Sequence, residues 1–148
     1  MENDRITRKI EIDADPQRVW TALSEPEEFG EWFRVKLDSP FIIGETTTGK
    51  MTYPGYEDVV WTSVTDVMEP PKRLVFRWPF IEEGQEVGSD AIWLTVEFTL
   101  EPKDGGTVVT VLETGFAALP EERRISMLRD NAGGWEIQTK NLKRYVES

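Results

Sequence analysis

The chain reads as an α+β protein in which a curved antiparallel sheet wraps around one long C-terminal helix. Two patterns predict it. Residues 121–146 carry Ile125, Leu128, Ala132, Trp135, Thr139, Leu142 and Val146 at alternating steps of three and four, a spacing that collects them on one helical face. Residues 45–114 alternate with period two and are broken by short turns, as consecutive antiparallel strands are. The helix is the element long enough to cover the apolar face of such a sheet. With 148 residues and no linker, one domain spanning 1–148 is expected.

Taken in order, residues 5–13 place Ile6, Arg8, Ile10 and Ile12 on one strand face, with Arg8 the exception on it. Asp15 and Pro16 are N-cap and first helical residue of a short helix that buries Val19, Trp20 and Leu23. Ser24 and Glu27 fit a capping box, so a second short helix is expected from Ser24 to near Gly30. Strands are expected at 45–53 and 57–68, joined at Pro54-Gly55, and a further one at 74–78 beyond the Pro70-Pro71 turn. The 79–90 segment reads as a long loop, either a lid or a solvated connection. Residues 91–101 and 107–114 complete a sheet of about six strands. Gly133 and Gly134 interrupt the long helix, each costing about 1 kcal/mol relative to alanine. Either they let the helix approach a strand or they leave room for a ligand beside Trp135.

Composition narrows the function. A net charge of −11 argues against nucleic acid or anionic membrane as partner, since both need a basic surface. No stretch approaches the roughly 20 apolar residues of a membrane span and no signal peptide is visible, so a cytoplasmic location is expected without membrane insertion. Cysteine and histidine are both absent, which removes thiolate nucleophiles, the commonest general base and the usual zinc ligands. No cofactor, metal or catalytic residue is called for.

The segments IEIDADPQRVWTALSEPEEFGEWF (10–33), EPPKRLVFRW (69–78), VEFTLEPKDGGTVVTVLETGF (96–116) and NAGGWEIQTKNLKRYVE (131–147) follow one known pattern in the same order. The chain resembles the START-like (SRPBCC) superfamily, and within it the branch named after the activator of the heat-shock-protein-90 ATPase (homologue 1-like). The resemblance implies a helix-grip fold, with the sheet and the C-terminal helix enclosing a deep, mostly apolar cavity. Many sequences of this kind carry histidine two residues before the Gly-Phe that precedes the last helix. Here that position is Glu113, so no role of the histidine carries over.

Candidate cavity residues follow from placement and type. Trp32, Phe33, Trp61, Phe76, Trp78 and Trp135 either line the cavity or form ordinary core. Trp20 is assigned to packing of the short helix, and Trp93, on the face opposite Leu94, lies either outside or under the 79–90 loop. Parity puts Val109, Val111 and Glu113 on the inward face of the last strand, while Leu128 and Ala132 face the same space from the helix. Arg8 and Glu113 either anchor a ligand as a polar pair or sit at strand ends in water. The leading reading is a binder of an apolar or aromatic small molecule or lipid. The alternatives are a co-chaperone-like interaction module, for which no second domain is expected here, and a polyketide cyclase-like enzyme.

Overall fold

The computed structural model describes residues 4–80 and 91–148. Strand β1 (Arg5–Ile12) leads into helices α1 (Pro16–Ser24) and α2 (Pro26–Phe33). Strands β2 (Val35–Leu37), β3 (Thr46–Met51), β4 (Val60–Glu69), β5 (Arg73–Phe80), β6 (Ile92–Lys103) and β7 (Gly106–Thr114) follow. A single 3₁₀ turn at Phe116–Ala118 then feeds helix α3 (Glu121–Glu147). The strands form one seven-stranded sheet in the order β1-β7-β6-β5-β4-β3-β2, each neighbour antiparallel to the next. The first strand thus joins at one edge, beside β7. A register irregularity between Thr65 and Val67 sits where β4 meets β5, a feature that adds local bend and twist to a sheet.

The short elements form for local reasons. Asp15 caps α1 by accepting the Arg18 backbone N–H at 2.8 Å, and Pro16 supplies the preset φ of the first turn. The expected capping box at Ser24 does not form, because the Ser24 hydroxyl donates back to the Trp20 carbonyl at 2.8 Å. Helix α2 starts instead at Pro26 and runs past Gly30 to Phe33, since Phe29, Trp32 and Phe33 all bury on one side. It ends at Arg34, which adopts the left-handed conformation with φ 71°. Gly30 permits that close packing: a Cβ there would stand 2.2 Å from the Val35 carbonyl oxygen. The seventh strand, β2, carries too few residues for its alternation to show in the sequence. The connection between β3 and β4 also spans more than the predicted Pro54-Gly55 turn, because neither strand reaches it.

Helix α3 lies against the sheet mainly through its C-terminal half. Trp135, Thr139, Leu142 and Val146 are buried, whereas Ile125, predicted on the same face, is 65% exposed. Leu128 and Ala132 are half-buried. The apolar stripe is real, but its first turns lack a deep partner. Pro79 and Phe80, expected in the long loop, belong to β5, and the rest of that loop (81–90) lies outside the described residues. Trp93 sits half-buried with the Arg77 guanidinium 5.6 Å from its ring centroid.

Aromatic side chains fill the space between α2 and the sheet. Phe29 stacks on Phe33 at 5.1 Å and meets Trp61 edge-on at 5.6 Å, while Phe41 stacks on Phe76 at 5.8 Å. Such pairs contribute about 0.5–1.5 kcal/mol each beyond burial of their area.

One substitution should act with opposite sign at two glycines. Gly133→Ala, where a Cβ meets nothing within 4 Å, should raise stability by up to about 1 kcal/mol through helix propensity. Gly30→Ala should lower it, because the new Cβ must displace backbone. Urea denaturation of both variants checks the pair; equal effects would contradict the packing described.

Candidate functional site

A groove of about 450 Å³ opens between α3, the end of α2, β5 and the β3–β4 connection. Phe33, Met51, Tyr53, Tyr56, Trp78, Asp130, Asn131, Gly134, Trp135, Ile137 and Gln138 line it. Each wall has a sequence cause. Phe33 is the last residue of α2, and Trp78 lies on β5 opposite Leu94 of β6. Tyr53 and Tyr56 flank the Pro54-Gly55 turn with rings 5.6 Å apart. Gly134 forms part of the wall because a Cβ there would meet nothing within 4 Å. That finding removes the close-approach explanation for Gly133 and Gly134, since neither glycine faces another backbone at short range.

Behind the groove lies Glu113, with a relative exposure of 0%. Its strand alternates with Val109 and Val111 on the same inward side, which places the carboxyl group beneath α3. Trp78 Nε1–H donates to one carboxylate oxygen at 2.8 Å and Trp135 Nε1–H to the other at 2.9 Å. Asn131 Nδ2 bridges both oxygens at 3.2 and 3.3 Å. The two indoles stack at 5.8 Å with 22° between their planes. Two strands and one helix therefore converge on a single carboxylate.

Burial pushes the Glu113 carboxyl above its ordinary value of 4.5, and the N–H donors of Trp135, Trp78 and Asn131 pull it back. Its partners are all neutral donors. They satisfy the acceptor-only geometry of an ionised carboxylate without neutralising its charge.

The predicted residues divide into three groups. Phe33, Trp78 and Trp135 line the groove, and Glu113 anchors the two indoles behind it. Trp32, Trp61, Phe76, Val109 and Val111 are packed core. Trp32 Nε1 donates to the Ala22 carbonyl and Trp61 Nε1 to Ser63 Oγ, so neither presents a free donor. Arg8, Leu128 and Ala132 line a separate hollow on the opposite flank of α3, together with Arg5 and Arg129. The suggested Arg8–Glu113 pair is not formed. Arg8 stays at the surface and meets Glu136 at 3.5 Å, because Glu113 is enclosed by the two indoles and Asn131.

Asn131, Tyr53, Tyr56 and Met51 were not picked out by sequence reasoning. Asn131 stands four residues before Trp135, a spacing that stacks the two along one helical flank and could have marked it. The tyrosines are visible only as a pair bracketing a turn.

A profile of the family described as Activator of Hsp90 ATPase homolog 1-like protein matches residues 13–147. The chain belongs to that family. Solved structures agree with the START-like helix-grip fold of the family. DynU16, of the dynemicin biosynthetic locus, is 25% identical with a TM-score of 0.78; the match covers 98% of this chain and 48% of DynU16. This chain thus spans about half of DynU16's length. MLL2253 from Mesorhizobium loti shares 23% identity at a TM-score of 0.76 over 96% of both chains. The Aha1 dimer from Colwellia psychrerythraea shares 16% at 0.74, over 97% of this chain and 96% of that one. Curated protein sequences include no match. Among the described residues no helix is long and apolar enough to cross a membrane, and no group of three or more Asp or Glu is placed to hold a metal ion.

The buried carboxyl group makes stability depend on pH with a definite sign. A raised native value means that the folded state keeps a proton over a range in which the unfolded chain has lost it. Stability contributed by Glu113 is therefore present at low pH and lost as pH rises from about 4.5 through the native value. The wild-type minus Glu113→Gln stability difference should fall over that window in urea denaturation at stepped pH. A difference independent of pH would show that Glu113 titrates as an exposed glutamate does.

Proposed function

We propose that the groove beside Trp135 binds an apolar or aromatic small molecule. The supporting observation is the pairing of open volume with aromatic walls at the one place where α3 lacks side-chain bulk, Gly134. Ligand pockets are commonly 300–1,000 Å³ and combine apolar walls with a few fixed polar groups. This groove has that character, with Asn131 held by Glu113 as the fixed polar group. Trp32, Trp61, Phe76 and their neighbours are buried core behind the groove. Family membership supports the same reading at the level of the fold.

Membership also supports a second reading, a co-chaperone-like module that contacts a chaperone through its surface. Exposed Ile42, Ile43, Val59 and Val60 near the β3–β4 edge favour a surface contact of some kind. Cyclase-like chemistry has less support: among the described residues the titratable groups lining the groove are Asp130, Tyr53 and Tyr56, and Glu113 behind it is committed to three donors.

Tryptophan fluorescence tests the binding reading, since Trp78 and Trp135 form the wall. Flavonoids, polyketide-like aromatics and fatty acids should include compounds that quench saturably. Gly134→Leu should weaken that quenching at least tenfold while leaving the melting temperature unchanged or higher, because the leucine fills open groove and improves helix propensity. Undiminished binding by the variant would move the site elsewhere. A blank panel with chaperone capture would favour the second reading.

A further inference from the structure

We infer that the groove selects an organic cation, a substituted ammonium carried on an aromatic or apolar body. The inference rests on the binding reading above and adds the ligand's charge. Five aromatic side chains from four parts of the fold meet there: Phe33, Tyr53, Tyr56, Trp78 and Trp135. Aromatic rings carry negative faces, and clusters of them recognise ammonium groups by cation–π attraction, with indole the strongest partner.

The polar groups around the groove point the same way. Asp130 brings a carboxylate to the rim, where it meets the exposed Arg129 at 3.8 Å, a contact of little energetic weight. Asn131 gives its amide N–H to Glu113, leaving its carbonyl oxygen as the group available to a ligand, which is an acceptor. Gln138 spends its amide N–H on the Phe33 carbonyl and its oxygen on Asn141. No lysine or arginine lines the groove among the described residues. Three arginines, Arg5, Arg8 and Arg129, line instead the hollow on the other flank of α3.

Glu113 strengthens the selection. An indole whose N–H donates to a carboxylate gains electron density over its ring, and both wall indoles donate to this one. Among the described residues the hydrogen-bond partners of the Glu113 oxygens are the neutral donors of Trp78, Trp135 and Asn131, so the density passed to the two indoles is not drawn off by a neighbouring cation. The net charge of −11 adds long-range attraction for cations. A fatty acid or other carboxylate would meet repulsion and find no basic residue to receive it.

Three probes sharing one ring separate charge from shape: trimethyl(naphthalen-2-ylmethyl)ammonium, its neutral carbon isostere 2-neopentylnaphthalene, and naphthalene-2-acetate. The ammonium should bind roughly tenfold or more tightly than the neutral isostere, which corresponds to about 1.4 kcal/mol, with the acetate weakest. Asp130→Lys should narrow the gap between ammonium and isostere several-fold, and an unchanged gap would remove Asp130 from the selection. Added salt should narrow it only in part, because the cation–π contact with the buried Trp135 is screened less than the exposed Asp130 carboxylate is. Equal binding of ammonium and isostere, with both lost in Gly134→Leu, would overturn the cation preference and leave the groove standing. Tighter binding of the acetate would overturn it outright. Failure of all three probes to bind would remove the groove reading and this inference together.

Discussion

The carboxylate of Glu113 is the interaction on which the rest of the site depends. It lies on β7 and receives N–H groups from Trp78 on β5 and from Trp135 and Asn131 on α3. A buried carboxylate without partners would cost several kcal/mol, so these donors are a condition of its being there. They also do structural work that apolar packing cannot. Apolar contacts are non-directional, whereas three donors on two oxygens fix the rotation of α3 about its axis and the tilt of two indole rings. The wall of the groove is therefore set by a hydrogen-bonded carboxyl group, and its shape does not rely on a ligand being present.

Around that point the aromatic residues divide between two jobs. Phe29, Phe41, Trp61 and Phe76 are closed off in edge-on and stacked pairs, and they hold α2 against the sheet. Phe33, Trp78 and Trp135 belong to the same cluster but end at open space. A helix gripped by a curved sheet leaves volume that two surfaces cannot share. Here an aromatic cluster packs into it, and a groove opens at the side of α3. The absence of a side chain at Gly134 decides where it emerges, because the helix presents no bulk there.

Charge segregation follows from the same arrangement. The two flanks of α3 are lined differently: Asp130, Asn131 and aromatic rings on one, Arg5, Arg8 and Arg129 on the other. Neither flank is visible as a unit in the sequence, since each combines residues more than fifty positions apart. Arg129 and Asp130 are chain neighbours about 100° apart around the helix, enough for Arg129 to line one flank and Asp130 the other.

Much was nonetheless legible in the sequence, wherever the physics is periodic. The two-residue repeat of β7 placed Val109, Val111 and Glu113 inward, and the repeat of α3 placed Trp135, Thr139, Leu142 and Val146 against the sheet. Asp15 and Pro16 marked the start of α1 because capping is a local hydrogen bond. Periodicity could not say how far the sheet extends along α3, and so Ile125 was placed on a buried face although it is exposed. Nor could it choose a partner for Glu113: parity put Arg8 and Glu113 on one side of the sheet, but burial and the reach of two indoles decided the contact. Asn131 and the tyrosines of the β3–β4 connection gained meaning only through those long-range neighbours. The chain alone thus determined which elements form and which faces they bury, because those depend on residues within a few positions of one another. The tertiary structure alone decided which buried groups meet and where space remains, because both depend on packing between segments remote in sequence.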